Sequence, residues 1–320
     1  MMNRTNKTVI AIVVVLLLLG GGIGYIHYAS GLKGKGVILT VQTGYNSTTP
    51  LTRIVSLDPG ATATIYGLGA YKDLVGGNCY DVYPPNETLP NVTDYPAMNV
   101  EQIINLTPQA VISFTNYSAG QISELLNASI DYIFLSAGSG SSMQLIEKQN
   151  TFLGELTGTE KNATLINNWM NTSLTDLKAN ATKMADGNPL KGFYYLSQDT
   201  LWTTGNNTFE EQYFQYSDII NIANNYSNGF YQISPGEIAN GSPQVLFVND
   251  YVNLSRLNEQ PFVDTPAVKD KKYYVTPPNA FDEPDFRDIY MIQWMVDKAY
   301  GNVTIPQFPI NLQYSPDPLS

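Results

Sequence analysis

The chain is poor in the residues on which most site chemistry depends. Its 320 residues include one cysteine, Cys79, and one histidine, His27. A lone cysteine excludes an intramolecular disulfide and a cysteine zinc site, and its usual role is that of a small buried hydrophobe. His27 sits beside an N-terminal apolar run, which excludes histidine catalysis and a histidine-ligated metal. Charge is scarce as well, at 14% of residues, and basic residues are the scarcer sign: 17 Lys and Arg face 28 Asp and Glu, a net charge of −11. That balance excludes nucleic acid and an anionic membrane surface as partners. A Gly-X-Ser-X-Gly elbow and a phosphate loop are also missing, so the sequence carries no enzyme signature. Apolar residues make up 43%, enough for two domains with real cores. The 22 tyrosines leave open a bare-metal binder with phenolate ligands for ferric iron.

Val9 to Ile26 is an uncharged apolar run preceded by Arg4 and Lys7. Its length is one bilayer crossing for a helix, and the flanking charges favour the N-terminus inside. The other reading is a cleaved signal peptide ending near Ala29-Ser30-Gly31. No cysteine follows the run, which excludes a bacterial-type lipid anchor. A single-pass membrane anchor with an extracellular domain is therefore expected. Asn-X-Ser/Thr sequons recur from Asn46 to Asn302, the density expected of a glycosylated archaeal envelope protein.

The expected organisation is an anchor over 1–30, a tether over 31–51 with a strand at Val37–Val41, an N-terminal lobe over 52–141, a connecting helical region over 142–187 and a C-terminal lobe and tail over 188–320. Within the first lobe strands are expected at Arg53–Leu57, Asp73–Gly76, Ala110–Phe114 and Tyr132–Leu135. Helices are expected at Ala61–Leu68, Val100–Leu106 and Ser118–Leu126. Such alternation implies parallel strands with helices on both faces. Leu153, Leu156, Leu165, Ile166, Trp169, Leu174, Leu177 and Met184 then recur at near-helical spacing, interrupted at Gly158. The rhythm resumes with strands at Phe193–Leu196, Val245–Val248 and Tyr273–Val275, and helices at Phe209–Tyr216 and Asp288–Ala299. The fold class is α/β: two lobes joined by a long helix. Ile104-Asn105-Leu106-Thr107-Pro108-Gln109-Ala110-Val111-Ile112 is echoed by Ile238-Ala239-Asn240-Gly241-Ser242-Pro243-Gln244-Val245-Leu246, as if the lobes were distant copies.

Arg53-Ile54-Val55-Ser56-Leu57-Asp58-Pro59-Gly60-Ala61-Thr62, Leu74-Val75-Gly76-Gly77, Tyr83-Pro84-Pro85, Asn99-Val100-Glu101, Trp202-Thr203-Thr204-Gly205, Gln232-Ile233-Ser234 and Pro266-Ala267-Val268-Lys269 stand in a telling order. The series, from about Arg53 to Tyr300, resembles the metal-chelate substrate-binding proteins of ABC importers, the cobalamin and ferric-siderophore group. The resemblance implies two Rossmann-like lobes on a rigid helix and a chelate held between them. It also implies a monomer without enzymatic activity or cofactor, which delivers its ligand to a membrane permease. Cobalamin or a related corrinoid is the first ligand expected, a ferric siderophore or haem the second. A cell-envelope scaffold that kept the fold without a ligand is the alternative of another class.

The resemblance also nominates residues. Tyr83, Tyr95, Trp202 and Phe230 stand where cobalamin binders of the family place aromatics, whose rigid faces suit a flat macrocycle. Arg287 matches an arginine that can face the cleft; its other reading is an ion pair with Asp285 or Asp288. Asp81 and Asp94 are further polar candidates. Glu101 matches a glutamate that meets arginines of the permease. Its counterpart by the internal echo is Gly236, with Glu237 next to it as the second docking acid.

Overall fold

The structure, a computed structural model, describes residues 37–40, 49–85, 87–94, 97–114, 117–135, 142–197 and 200–319. The apolar run Val9–Ile26 and Tyr95 lie outside them. Among the described residues no helix is long and apolar enough to cross a membrane.

Short runs of β-branched and aromatic residues make the strands of the first lobe: β1 (Val37–Thr40), β2 (Ile54–Ser56), β3 (Leu74–Gly76), β4 (Thr93–Asp94), β5 (Ala97–Met98), β6 (Ala110–Ser113) and β7 (Asp131–Leu135). Helices α1 (Pro59–Gly67), α2 (Val100–Asn105) and α3 (Ala119–Asn127) connect them. Five strands form a parallel sheet in the order β1-β7-β6-β2-β3, while β4 and β5 make a small antiparallel ribbon. Strand β1 falls inside the segment expected to be a tether. It pairs with β7 from Val37 opposite Tyr132 to Thr40 opposite Leu135, so part of that segment belongs to the lobe.

Two helices follow, α4 (Met143–Thr157) and α5 (Glu160–Ala185). Gly158 ends the first in the left-handed region at φ 69°, where glycine carries no Cβ penalty. A Cβ on Gly154 would stand 2.7 Å from that of Ala163, so glycine here allows the two helices their close approach. The 26 residues of α5 span about 39 Å. Ile166, Trp169, Leu174 and Leu177 face inward as the spacing predicts, but Leu165 and Met184 are exposed, because the apolar stripe is narrower than their spacing suggests.

The second lobe holds β8 (Lys191–Tyr195), β9 (Trp202–Thr204), β10 (Ile220–Asn221), β11 (Phe230–Gln232), β12 (Val245–Val248) and β13 (Tyr273–Val275), with α6 (Phe209–Tyr216), α7 (Pro235–Gly241), α8 (Pro266–Lys269) and α9 (Asp288–Ala299). Its parallel sheet runs β10-β8-β12-β13, and β9 pairs with β11 antiparallel. Trp202-Thr203-Thr204 is thus strand.

Alternation along the strands divides the core. Ile54, Ile112, Tyr194 and Phe247 join Trp169 and Leu177 of α5 in one cluster that runs through both lobes. Val55, Val111 and Tyr132 build a separate core on the other face of the first sheet, and Phe193, Leu246 and Phe262 one on the second. Beyond α9 the chain returns along this shared core. Trp169 donates its indole N–H to the Pro306 carbonyl at 2.8 Å, and Tyr314 donates its backbone N–H to the Tyr66 hydroxyl at 2.7 Å.

The sequence echo has a structural counterpart. In each lobe a helix, α2 or α7, leads through Pro-Gln into a central strand. Gln109 Oε1 accepts from the backbone N–H of Thr52 at 2.8 Å and of Arg53 at 3.0 Å. Gln244 Oε1 accepts from that of Lys191 at 3.0 Å. In both lobes the glutamine ties down the entry to the neighbouring strand.

Candidate functional site

In parallel α/β sheets, ligands gather at the carboxyl ends of the strands. Here the loops leaving β2, β6, β12 and β13 meet across a cavity of about 320 Å³ between the lobes. The first lobe contributes Asp58, Pro59, Gly60, Tyr80 and Phe114. The second contributes Phe209, Phe230, Tyr251, Asn279, Asp282, Glu283 and Pro284. The two loops approach so closely that a Cβ on Gly60 would stand 2.8 Å from the Pro284 carbonyl oxygen. A roomier hollow of about 450 Å³, lined by Thr200, Leu201, Gln232 and Arg256 among others, belongs to the second lobe alone and has no aromatic wall. The inter-lobe cavity is the one with binding character: large apolar faces and a few polar groups that converge.

Among the described residues five aromatics line it. Phe209 is buried at the start of α6, and Phe114 follows directly on β6. Phe230 stands on β11, 38% exposed, and Tyr251 forms the rim at 71%. Tyr80, also exposed, comes from the loop after β3.

The polar lining is acidic. Asp58 caps α1, accepting from the backbone N–H of Ala61 at 3.2 Å, and burial pushes its carboxyl up to about 6. Asp282 accepts from the Tyr194 hydroxyl at 2.6 Å and the Asn249 amide at 2.7 Å; burial again dominates and raises it to about 6. Glu283 accepts from Arg287 at 2.9 Å, yet burial outweighs that cation and lifts it to about 7. Nearby Asp81 accepts from the Asn78 backbone N–H at 2.6 Å and is raised by burial to about 7.

Of the aromatics expected from the sequence, Phe230 lines the cavity. Trp202 does not line it. It is 39% exposed on the same face of the β9–β11 ribbon, because Trp202 opposes Gln232 and Phe230 opposes Thr204. Tyr83 is buried instead, 8% exposed, its ring edge-on to Tyr66 at 5.2 Å and 4.6 Å below the Arg287 guanidinium. Arg287 is 2% exposed and stands behind the cavity wall. Its Nε donates to both Asp285 carboxylate oxygens at 3.0 Å, and a second nitrogen bonds Glu283 and Asp285. The pairing with Asp285, not a cleft-facing pose, is the reading of Arg287 that the geometry supports; Asp288 is not its partner. Its position fixes Glu283 against the cavity.

The sequence reading missed Tyr80, Phe114, Phe209 and Tyr251, and the acids Asp58, Asp282 and Glu283. A usable signal existed: Phe114 and Asp58 lie within two residues of the carboxyl end of a parallel strand, and Tyr251 three past β12.

The two glutamates expected to dock differ in setting. Glu101 lies in the first turn of α2, exposed, after the Asn99 cap. In α7 the cap is Ser234, so Gly236 and not Glu237 is the equivalent of Glu101. Glu237 closes a capping box, its carboxylate accepting from the Ser234 backbone N–H at 2.8 Å.

Residues 54–280 match the periplasmic binding protein family. An uncharacterized ABC transporter substrate-binding lipoprotein of Bacillus subtilis, YvrC, is 26% identical over 253 residues, 78% of this chain and 80% of its own. The vitamin B12-binding protein of Vibrio cholerae is 25% identical over 205 residues, covering 63% of this chain and 72% of that one. Among solved structures, a periplasmic heme-binding protein from Pseudomonas aeruginosa superposes with a TM-score of 0.71 over 81% of this chain and 96% of its own, at 18% identity, which is a likeness of fold. With two parallel sheets, a cavity between them and a match across most of its length, the chain belongs to the periplasmic binding protein family.

Proposed function

We propose that this chain is the extracellular substrate-binding protein of an ABC importer and that its inter-lobe cavity seats a flat metal chelate, a corrinoid first. The observation that carries the reading is the aromatic lining drawn from both lobes: Tyr80 and Phe114 from one, Phe209, Phe230 and Tyr251 from the other. Aromatic faces offer a macrocycle large contact area at low entropic cost. At about 320 Å³ the cavity is near the small end of the ~300–1,000 Å³ typical of ligand pockets. It therefore takes one face or edge of a macrocycle, with the rest projecting past Tyr251. Trp202 and Phe230 together form the flank of the site, and Tyr83 and Arg287 support it from behind.

The vitamin B12-binding relative supports the ligand class, and the substrate-binding lipoprotein supports the transport role. Docking on a permease rests on exposed Glu101, with Glu237 as its offset partner on the second lobe, both of which would meet basic residues. Attachment through Val9–Ile26 keeps the protein at the membrane. Sequon asparagines Asn91, Asn105, Asn127, Asn171, Asn180 and Asn225 are all exposed, as N-glycosylation of an archaeal envelope protein requires.

The test is fluorescence titration of the full chain with cobalamin, haem and a ferric hydroxamate. Trp202 is the exposed indole beside the cavity, while Trp169 and Trp294 are buried. Saturable quenching by cobalamin, weakened at least about tenfold by Phe230→Ala, is expected. Saturation by haem or the hydroxamate alone would keep the transport role and remove the corrinoid. No response to any of the three would favour a scaffold that has lost its ligand.

A further inference from the structure

The charge around the cavity has one sign. Asp58 enters from the first lobe, and Asp282 and Glu283 from the second. Among the described residues no lysine or arginine lines it. Arg287, the cation paired with lining residue Glu283, is already engaged by Asp285 and Glu283. Asp81 adds a further carboxylate close by, with Glu283 and Asp58 near enough to raise it. The remaining polar side chains in the lining, the Asn279 amide and two tyrosine hydroxyls, are neutral and do not offset the three carboxylates. The five aromatics work in the same direction, because ring faces attract cations and repel anions.

Resting on the reading of this cavity as a chelate site, we propose that it sorts flat chelates by the charge of their rim. It takes one whose periphery offers amide N–H donors or positive charge, and turns away one that presents carboxylates. Asp58, Asp282 and Glu283 are then the specificity-determining residues, acting as acceptors for the ligand's donors. A ligand carboxylate placed against them meets like charge in a half-enclosed site, where screening by water is reduced and the repulsion is correspondingly large. Arg287 matters indirectly, by holding Glu283 in place against the cavity wall.

The experiment compares two corrinoids that share a ring and differ at the rim: cobinamide, with amides, and cobyrinic acid, with carboxylates. Both are used as dicyano forms at pH 8.5, where all three carboxyls are ionised, with the full chain in a non-ionic detergent, and affinities are read by equilibrium dialysis. Cobinamide should bind about a hundredfold tighter than the acid. Glu283→Gln and Asp58→Asn, each of which keeps an acceptor oxygen, should narrow that ratio by raising affinity for the acid. A cooperative thermal unfolding transition shows that each variant is folded. Equal affinities, or tighter binding of the acid, overturn charge sorting and leave the corrinoid reading intact. A ratio unchanged in both variants overturns the assignment to these residues. Failure of both corrinoids to bind overturns the reading and the proposal together.

Discussion

Asp58→Asn should make this protein more stable, by a margin that grows with pH once the unfolded chain's carboxyl ionises. Asp58 is 6% exposed, with a helix-capping bond to Ala61, and among the described residues it has no ion-pair partner. Burial moves its carboxyl from 3.8 up to about 6. The folded protein therefore holds this proton more tightly than the unfolded chain does. From about pH 4 to pH 6 it binds more protons than the unfolded state, so stability falls as pH rises through that window and levels off above it. The full cost of ionising the folded protein is about 3 kcal/mol, reached above about pH 7 and roughly halved at pH 5. Asparagine keeps the capping oxygen and cannot ionise. The variant should unfold roughly 4–5 °C higher than wild type at pH 8 and at about half that margin at pH 5. Thermal unfolding of both proteins at the two pH values measures it. A margin that is the same at pH 5 and pH 8, or a variant less stable at pH 8, would refute the reasoning.

Three further outcomes follow from contacts elsewhere. Gly60→Ala drives a methyl to within 2.8 Å of the Pro284 carbonyl oxygen; overpacking of about 1–3 kcal/mol exceeds the helix-propensity gain of up to about 1, so the melting temperature should drop. Gln109→Ala removes the acceptor of two backbone donors and Gln244→Ala that of one, at about 0.5–1.5 kcal/mol per bond. Amide exchange should accelerate at Thr52 and Arg53 in the first variant and at Lys191 in the second, with the larger stability loss in the first. Trp169→Phe deletes the bond to the Pro306 carbonyl, and limited proteolysis should then cut faster within 302–319, at a stability cost of about 1 kcal/mol.

The lobes were legible because their central strands are uninterrupted apolar runs. Val245–Val248 and Ala110–Ser113 are buried throughout, as strands covered on both faces must be, and the expected bounds match to within a residue. Gly158 announced the break between α4 and α5 for the reason the structure shows, a left-handed backbone. The β9–β11 ribbon was not legible. Its strands have three residues each and are separated by 25 residues that include α6 and β10, so no local turn signal joins them. The cavity wall was hidden for a related cause. Tyr80, Phe114 and Tyr251 sit in loops, and only strand order brings those loops to one place. Tyr83 shows the converse: an aromatic at the expected position in the chain whose ring is packed between Tyr66 and Arg287.

Arg287 carries a larger argument about the site. Among the acids of 282–288, Asp285 and Glu283 bind its guanidinium, whereas Asp282 has only neutral donors and Asp58, across the cavity, a backbone cap. One buried cation thus serves the wall and leaves the floor acidic. Acids left without a cation in the empty protein lower its stability, which is the usual relation between a built site and the fold that holds it. On the charge-sorting proposal a donor-rich ligand would restore what burial removes, by offering hydrogen bonds to the ionised form. Asp58→Asn therefore moves two measurements in opposite senses: the empty protein gains stability at pH 8, and discrimination between amide and carboxylate ligands shrinks. If discrimination survived while stability rose, Asp58 would be a buried helix cap whose charge the ligand never meets.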